Sequence, residues 1–183
     1  MELTGKGLIL RKLKADDAAA LQKHADNPKV SAFLFDRFPS PYSLGDAVAF
    51  IETKLNEDPV TNFAIVINNE LSGMISLAMR NDIYRKTPLL GYWLSELYWS
   101  CGIMTQAVKM ISDYAFNHLG MICIQAMVFE KNPASMRVLE KAGYIRQGIF
   151  KQSVIKGGEV MDEYAYAAYP ENIIKQTSGQ LIL

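Results

Sequence analysis

Two stretches of the chain carry residue types suited to chemistry. The first, YWSCGIMTQAVKMISDYAF (98–116), ends an apolar strand, inserts a Ser-Cys-Gly turn and launches a long amphipathic helix. A helix start leaves backbone N–H groups unpaired and carries a partial positive charge, a combination that suits a phosphate. Gly102 adds no side chain, so a ligand can approach the backbone closely. The same letters also fit a plain corner in which Ser100 caps the helix. The second stretch, EKNPASMRVLEKAGY (130–144), is punctuated as a short helix. Asn132 is a good N-cap, Pro133 suits the first helical position and Gly143 the left-handed residue after the end. That spacing puts Asn132 and Ser135 beside the end of an apolar strand, where ligands of a sheet often sit.

The elements that must position these residues follow from periodicity. LILRKL (8–13) alternates as a strand, and DDAAALQKHADN opens a helix at Asp16 and Asp17 that stops before Pro28. SAFLF (31–35) leads into an irregular Pro-rich segment, and a helix over 44–57 places Ala47, Phe50, Ile51 and Leu55 on one face. NFAIVI (62–67) and ELSGMISLAM (70–79) flank Asn68-Asn69, a hairpin signal. LLGYWLSE (89–96) and MICIQAMVF (121–129) are strands joined through a helix over 102–118, so they run parallel. A short helix over 133–142 precedes strands at 144–155 and 159–169, split by Gly157-Gly158. The pattern predicts one α+β domain over 1–170 with a mixed, mostly antiparallel sheet of about seven strands and about four helices, plus a tail at 171–183 with no clear period.

Composition bounds the function. The 183 residues suffice for a sizeable core, and half are hydrophobic. Lys plus Arg balances Asp plus Glu, so there is no overall electrostatic footprint for nucleic acid or an anionic membrane. Two cysteines, Cys101 and Cys123, and two histidines, His24 and His118, suggest no metal cluster. Reduced thiols fit a cytoplasmic protein. The N-terminus interleaves charges with its apolar residues, unlike a signal peptide, and no run of 18 apolar residues marks a membrane span.

The order of strand, SCG turn, long helix, strand and N-P-A-S helix resembles the GNAT superfamily of acyl-coenzyme A N-acyltransferases. Within it the chain is similar to the enzymes that acetylate N-terminal alanines of ribosomal proteins. The resemblance runs from LILRKLKADD through GYWLSELYWSCGIMTQAVKMISDYAF to NPASMRVLEKAGYIRQGIF. It implies a sheet splayed between the strands at 89–96 and 121–129, with acetyl-CoA as co-substrate and no metal. It places the diphosphate on backbone N–H groups of Trp99, Ser100, Cys101, Gly102, Ile103, Met104 and Thr105, with Asn132 and Ser135 also at the coenzyme. Only Gly102 matches the family's loop pattern of Gln or Arg, two residues, Gly, one residue, Gly or Ala. Ser135 matches the position that protonates the departing thiolate, whereas Val154 stands where the alanine-acetylating relatives carry a Glu base.

The implied reaction is direct attack of a primary amine, most specifically a protein or peptide N-terminus, on the thioester in a ternary complex. Phe33, Phe35, Tyr92 and Trp93 are the expected acceptor-side residues; alternation in GYWLSE sends Tyr92 and Trp93 to opposite faces, so at most one lines an entrance. Other readings of the same fold are a polyamine, amino-sugar or antibiotic acetyltransferase and a non-catalytic acyl-CoA-binding module. The chain is expected to work as a monomer or homodimer.

Overall fold

The structure is a computed structural model and describes residues 1–171. In chain order its strands are β1 (Glu2–Gly5), β2 (Leu8–Arg11), β3 (Asn62–Ile67), β4 (Glu70–Ala78), β5 (Leu89–Leu94), β6 (Ile124–Phe129), β7 (Ile145–Lys156) and β8 (Glu159–Ala168). Its helices are α1 (Ala18–Ala25), α2 (Pro28–Ser31), α3 (Leu44–Glu52), α4 (Ile103–Asn117) and α5 (Pro133–Lys141). The strands form one mixed sheet in the order β1-β2-β3-β4-β5-β6-β8-β7. The expected α+β class therefore holds, with eight strands for about seven and five α-helices for about four among the described residues. The extra strand is β1, and the extra helix is the four-residue α2, capped by the Asn27 side chain on the Lys29 N–H.

Two compact units divide the described residues: 1–76 with 92–107, and 77–91 with 108–171. In the first, β1 through β4 form an antiparallel meander, and the Asn68-Asn69 turn has both residues at positive φ (50° and 65°), the geometry a two-residue hairpin requires. Its core gathers Leu13, Leu21, Tyr42, Ala47, Ile51 and Leu71. α3 ends at Glu52 rather than 57, where the Thr53 hydroxyl donates to the Phe50 carbonyl and a turn follows. The Glu57 carboxylate instead accepts from the Thr61 and Asn62 N–H groups, starting β3.

Asp17 does more than greet a helix dipole. Its two oxygens accept a fork of bonds from Arg11, at 2.7 and 2.8 Å, and one also accepts the Lys14 N–H at 2.8 Å. The pair is nearly buried, with 11% and 7% of the side chains exposed. The Asp17 hydrogen bond holds the Arg11 guanidinium above its ordinary pKa despite the burial. Removing one partner strands the other's charge. Asp17→Ala is expected to lower stability by about 2 kcal/mol in urea unfolding, below the range for fully enclosed pairs because Arg11 keeps a route to water.

In the second unit β5 and β6 pair in parallel at Leu89↔Gln125, as the helical connection demands. β6 pairs antiparallel with β8, and β8 with the edge strand β7. Gly157 and Gly158 turn that last hairpin with φ of 58° and 84°. No helix of the described residues is long and apolar enough to cross a membrane. The tail predicted at 171–183 lies outside the described residues from 172 onward.

Candidate active site

In the first unit the segment after β5 is braced before it reaches α4. The Ser95 N–H donates to the Ser72 carbonyl at 2.8 Å, and a 3-10 turn spans Glu96–Tyr98. The Trp99 indole N–H donates to the Leu94 carbonyl at 2.8 Å, closing the turn on itself. The Trp99 side chain thus tethers the turn it belongs to. Ser100 and Gly102 both adopt positive φ, 62° and 77°, so Ser100 does not take the extended backbone of an N-cap. The first helical bond runs from the Gln106 N–H to the Gly102 carbonyl at 3.1 Å.

Six consecutive N–H groups, from Ser100 to Thr105, therefore donate to no acceptor among the described residues. A Cβ built on Gly102 meets nothing within 4 Å, so the space in front of its backbone is open. Met104 is 7% exposed: its bulk is packed in the core and leaves this approach free. An arc of unpaired donors at the start of a 15-residue helix is suited to a multiply charged phosphate group.

Sequence reasoning missed what anchors the entry to this arc. His24 is buried, with Nδ1 2.9 Å from the Ser95 hydroxyl and Nε2 2.7 Å from a Glu70 carboxylate oxygen. The chain of bonds ties α1, β4 and the end of β5 together just ahead of the Glu96–Tyr98 turn. An open pocket of about 330 Å³ lies beside it, lined by Lys23, His24, Asp26, Asn27, Ser95 and Glu96 among others. Its carboxylates are engaged. Glu96 accepts from Lys29 and Asn27, which together hold it below the usual carboxylate range, and Asp26 accepts the Tyr42 N–H. Glu96 is thereby committed to an ion pair with Lys29.

The aromatic residues separate as alternation demands. Trp93 packs on the core, edge-on to Phe38 with ring centroids 6.3 Å apart. Tyr92 is left as the member of the pair that faces the other side of the strand. Phe33 and Phe35 follow α2 and are exposed, with the Arg37 guanidinium 4.9 Å over the Phe35 ring.

In the second unit Asn132 behaves as its position predicts. Its N–H donates to the Phe129 carbonyl, and its side chain accepts the Ser135 N–H at 3.0 Å. Ser135 is thereby fixed in the first turn of α5. Gly143 ends the helix at φ 95°, and Leu139 and the Tyr144 ring are buried beneath it. The Tyr144 hydroxyl shares a hydrogen bond with Ser112 of α4, and the Tyr166 hydroxyl donates to Glu140. Val154 sits on β7 opposite Met161.

Comparisons with known proteins agree with this fold. Residues 7–145 match the family described as the acetyltransferase (GNAT) domain. The chain is 31% identical over 172 residues to the probable N-acetyltransferase YjcK of Bacillus subtilis, covering 90% of this chain and 95% of that one. It is 35% identical over 107 residues to the ribosomal-protein-serine acetyltransferase of Escherichia coli, covering 57% and 58%. The solved acetyltransferase of the GNAT family from Bacillus anthracis superposes with a TM-score of 0.82 at 25% identity, covering 93% of this chain and 99% of that one. The strand order, the open donor arc and these matches have one reading: the chain belongs to the GNAT family of N-acetyltransferases.

Proposed function

We propose that the chain transfers an acetyl group from acetyl-CoA to a primary amine, and that the amine is the N-terminus of a protein or peptide. The observation that carries the coenzyme assignment is the run of six unpaired N–H groups around Gly102, which fits the diphosphate. The residues around it need no cationic side chain, since the backbone supplies the positive end. Holding thioester and amine together provides much of the acceleration through orientation. In this reading Ser135, whose backbone N–H is held by the Asn132 side chain, gives its hydroxyl proton to the departing thiolate.

The choice of acceptor rests on proton energetics and on the similarity to the ribosomal-protein-serine acetyltransferase. Freeing an α-amine of its proton at pH 7 costs about 1–1.4 kcal/mol, against about 4.6 for a lysine side chain. A pocket whose carboxylates are engaged, Glu96 with Lys29 and Asp26 with the Tyr42 N–H, suits the amine that is easier to deprotonate. The free thiols of Cys101 and Cys123 suit a reducing compartment such as the cytoplasm.

The test is a titration with acetyl-CoA followed by an acceptor panel of Ala- and Ser-starting peptides, N-terminally blocked lysine peptides, polyamines and amino sugars. Saturable coenzyme binding is expected, with turnover on free N-termini at least about tenfold above blocked lysine peptides, a modest share of the difference of about 3.2–3.6 kcal/mol in deprotonation. Absence of binding at millimolar coenzyme would sink the loop assignment. Rapid lysine acetylation with N-termini ignored would sink the acceptor.

A further inference from the structure

The reaction needs a group to take the amine's proton, and the carboxylates of the first unit's pocket are held in ion pairs and hydrogen bonds. Val154 cannot accept a proton. Glu130 accepts from the Asp162 N–H at 3.3 Å. Glu163 is different. It lies on β8 between two strands, opposite Phe129 of β6 and Phe150 of β7. Directly opposed residues of antiparallel strands project to the same face, as do residues two apart on one strand. Phe129, Phe150, Val154, Met161 and Glu163 therefore share one face of this sheet. The other face carries Val128, Tyr164 and Tyr166, and the bond from Tyr166 to Glu140 shows that α5 covers it. Glu163 is on the face that α5 leaves uncovered.

The carboxylate is half-buried among these apolar neighbours and makes no hydrogen bond or ion pair with the described residues. Burial pushes it above the ordinary glutamate range. Charged groups around it are turned away or matched. Asp162, on the opposite face, pairs with Lys151 of the β7 bulge, and Glu159 pairs with Lys131. On its own face the nearest ionisable residues by register are Glu159 and Lys156, four residues along β8. A lone, partly dehydrated carboxylate in an apolar setting is equipped to bind an ammonium group and take its proton near neutral pH.

We propose that Glu163 is the general base of the acetyl transfer. The inference rests on the acetyltransferase reading above and adds a residue to it. As the amine lone pair forms the C–N bond, the C–S bond breaks and its electrons leave on sulfur. The proton lost by nitrogen passes to a Glu163 oxygen and then to solvent. Ser135 protonates the thiolate and recovers its own proton from water.

The experiment is steady-state kinetics of Glu163→Gln with an Ala- or Ser-starting peptide, across pH, beside a coenzyme titration. The expected result is a fall in kcat of about 100-fold or more, the scale of general-base catalysis, with acetyl-CoA affinity unchanged. At saturating peptide the acidic limb of the wild-type kcat profile, set by Glu163 in the complex, disappears in the variant. Adding Val154→Glu to it returns a carboxylate to the same face and recovers part of kcat together with the limb. Should Glu163→Gln fail to fold, Glu163→Asp decides: it keeps the limb while lowering kcat. Full turnover with an unchanged acidic limb in either variant overturns the proposal. If the wild-type chain itself binds no acetyl-CoA, the acetyltransferase reading is what fails.

Discussion

Gly102→Val is expected to raise the dissociation constant for acetyl-CoA about 100-fold, some 2.7 kcal/mol. Two effects act at this position and a control separates them. Gly102 has φ 77°, a conformation that costs a side-chain-bearing residue about 1–2 kcal/mol. That strain is charged against folding. The second effect is steric and concerns the ligand alone, because nothing in the protein lies within 4 Å of the new Cβ. Valine methyls would occupy the space through which a phosphate reaches the N–H groups of residues 100–105. Gly158 offers the matched comparison, with φ 84°, open space in front of it and a place at the tip of the last hairpin. Gly158→Val should show a similar loss of thermal stability and unchanged coenzyme binding by calorimetric titration. Equal affinity in the two variants would remove the phosphate from the Gly102 arc.

The contrast between these glycines also shows what local sequence can reveal. Gly157-Gly158 and Asn68-Asn69 announce their turns because a positive φ limits the residues that tolerate it, and both hairpins form where the letters place them. The Asn132-Pro133 start and Gly143 end of α5 are legible for the same reason. Where a feature depends on distant partners the sequence is silent. His24 and Ser95 are 71 positions apart, and no local pattern marks either as half of a buried hydrogen bond. Trp99 departs from the loop pattern by its letter, and only the structure shows its indole N–H on the Leu94 carbonyl. Met104 departs from the pattern too, yet the helix turns its side chain inward. Leu55 is in phase with the apolar face of α3, yet periodicity does not carry the cost of extending a helix past the Thr53 turn. β1 escaped because four residues beside a turn give too short an alternation to register.

A glycine with no such signal carries the second large expected effect. Gly73 sits within β4, and a Cβ there would lie 2.6 Å from the Trp93 carbonyl oxygen and 3.0 Å from the Leu94 Cα. Both obstacles are backbone, which cannot rotate aside as a side-chain end does. The neighbouring Ser72 carbonyl accepts the Ser95 N–H, so the approach of β4 to the end of β5 is fixed right beside the contact. Gly73→Ala must therefore part the strands or bend one of them, at a cost of about 3 kcal/mol, the upper part of the range for overpacked interiors. In a chain of this size that corresponds to a fall in melting temperature of roughly 6–12 °C. Gly45→Ala reverses the sign: this exposed glycine is inside α3, its added Cβ meets only the Ser43 hydroxyl at 3.6 Å, and the gain in helix propensity is about 0.5–1 kcal/mol. The same substitution then stabilises one site and disrupts another. Melting curves that rank Gly73→Ala equal to wild type would mean that β4 and β5 are not packed as closely as Trp93 and Leu94 require. With the strands parted, the bonds from Ser95 to Ser72 and His24 loosen together, and the coenzyme arc loses its support from behind. Gly73→Ala is accordingly expected to weaken acetyl-CoA binding at temperatures where the chain is still folded.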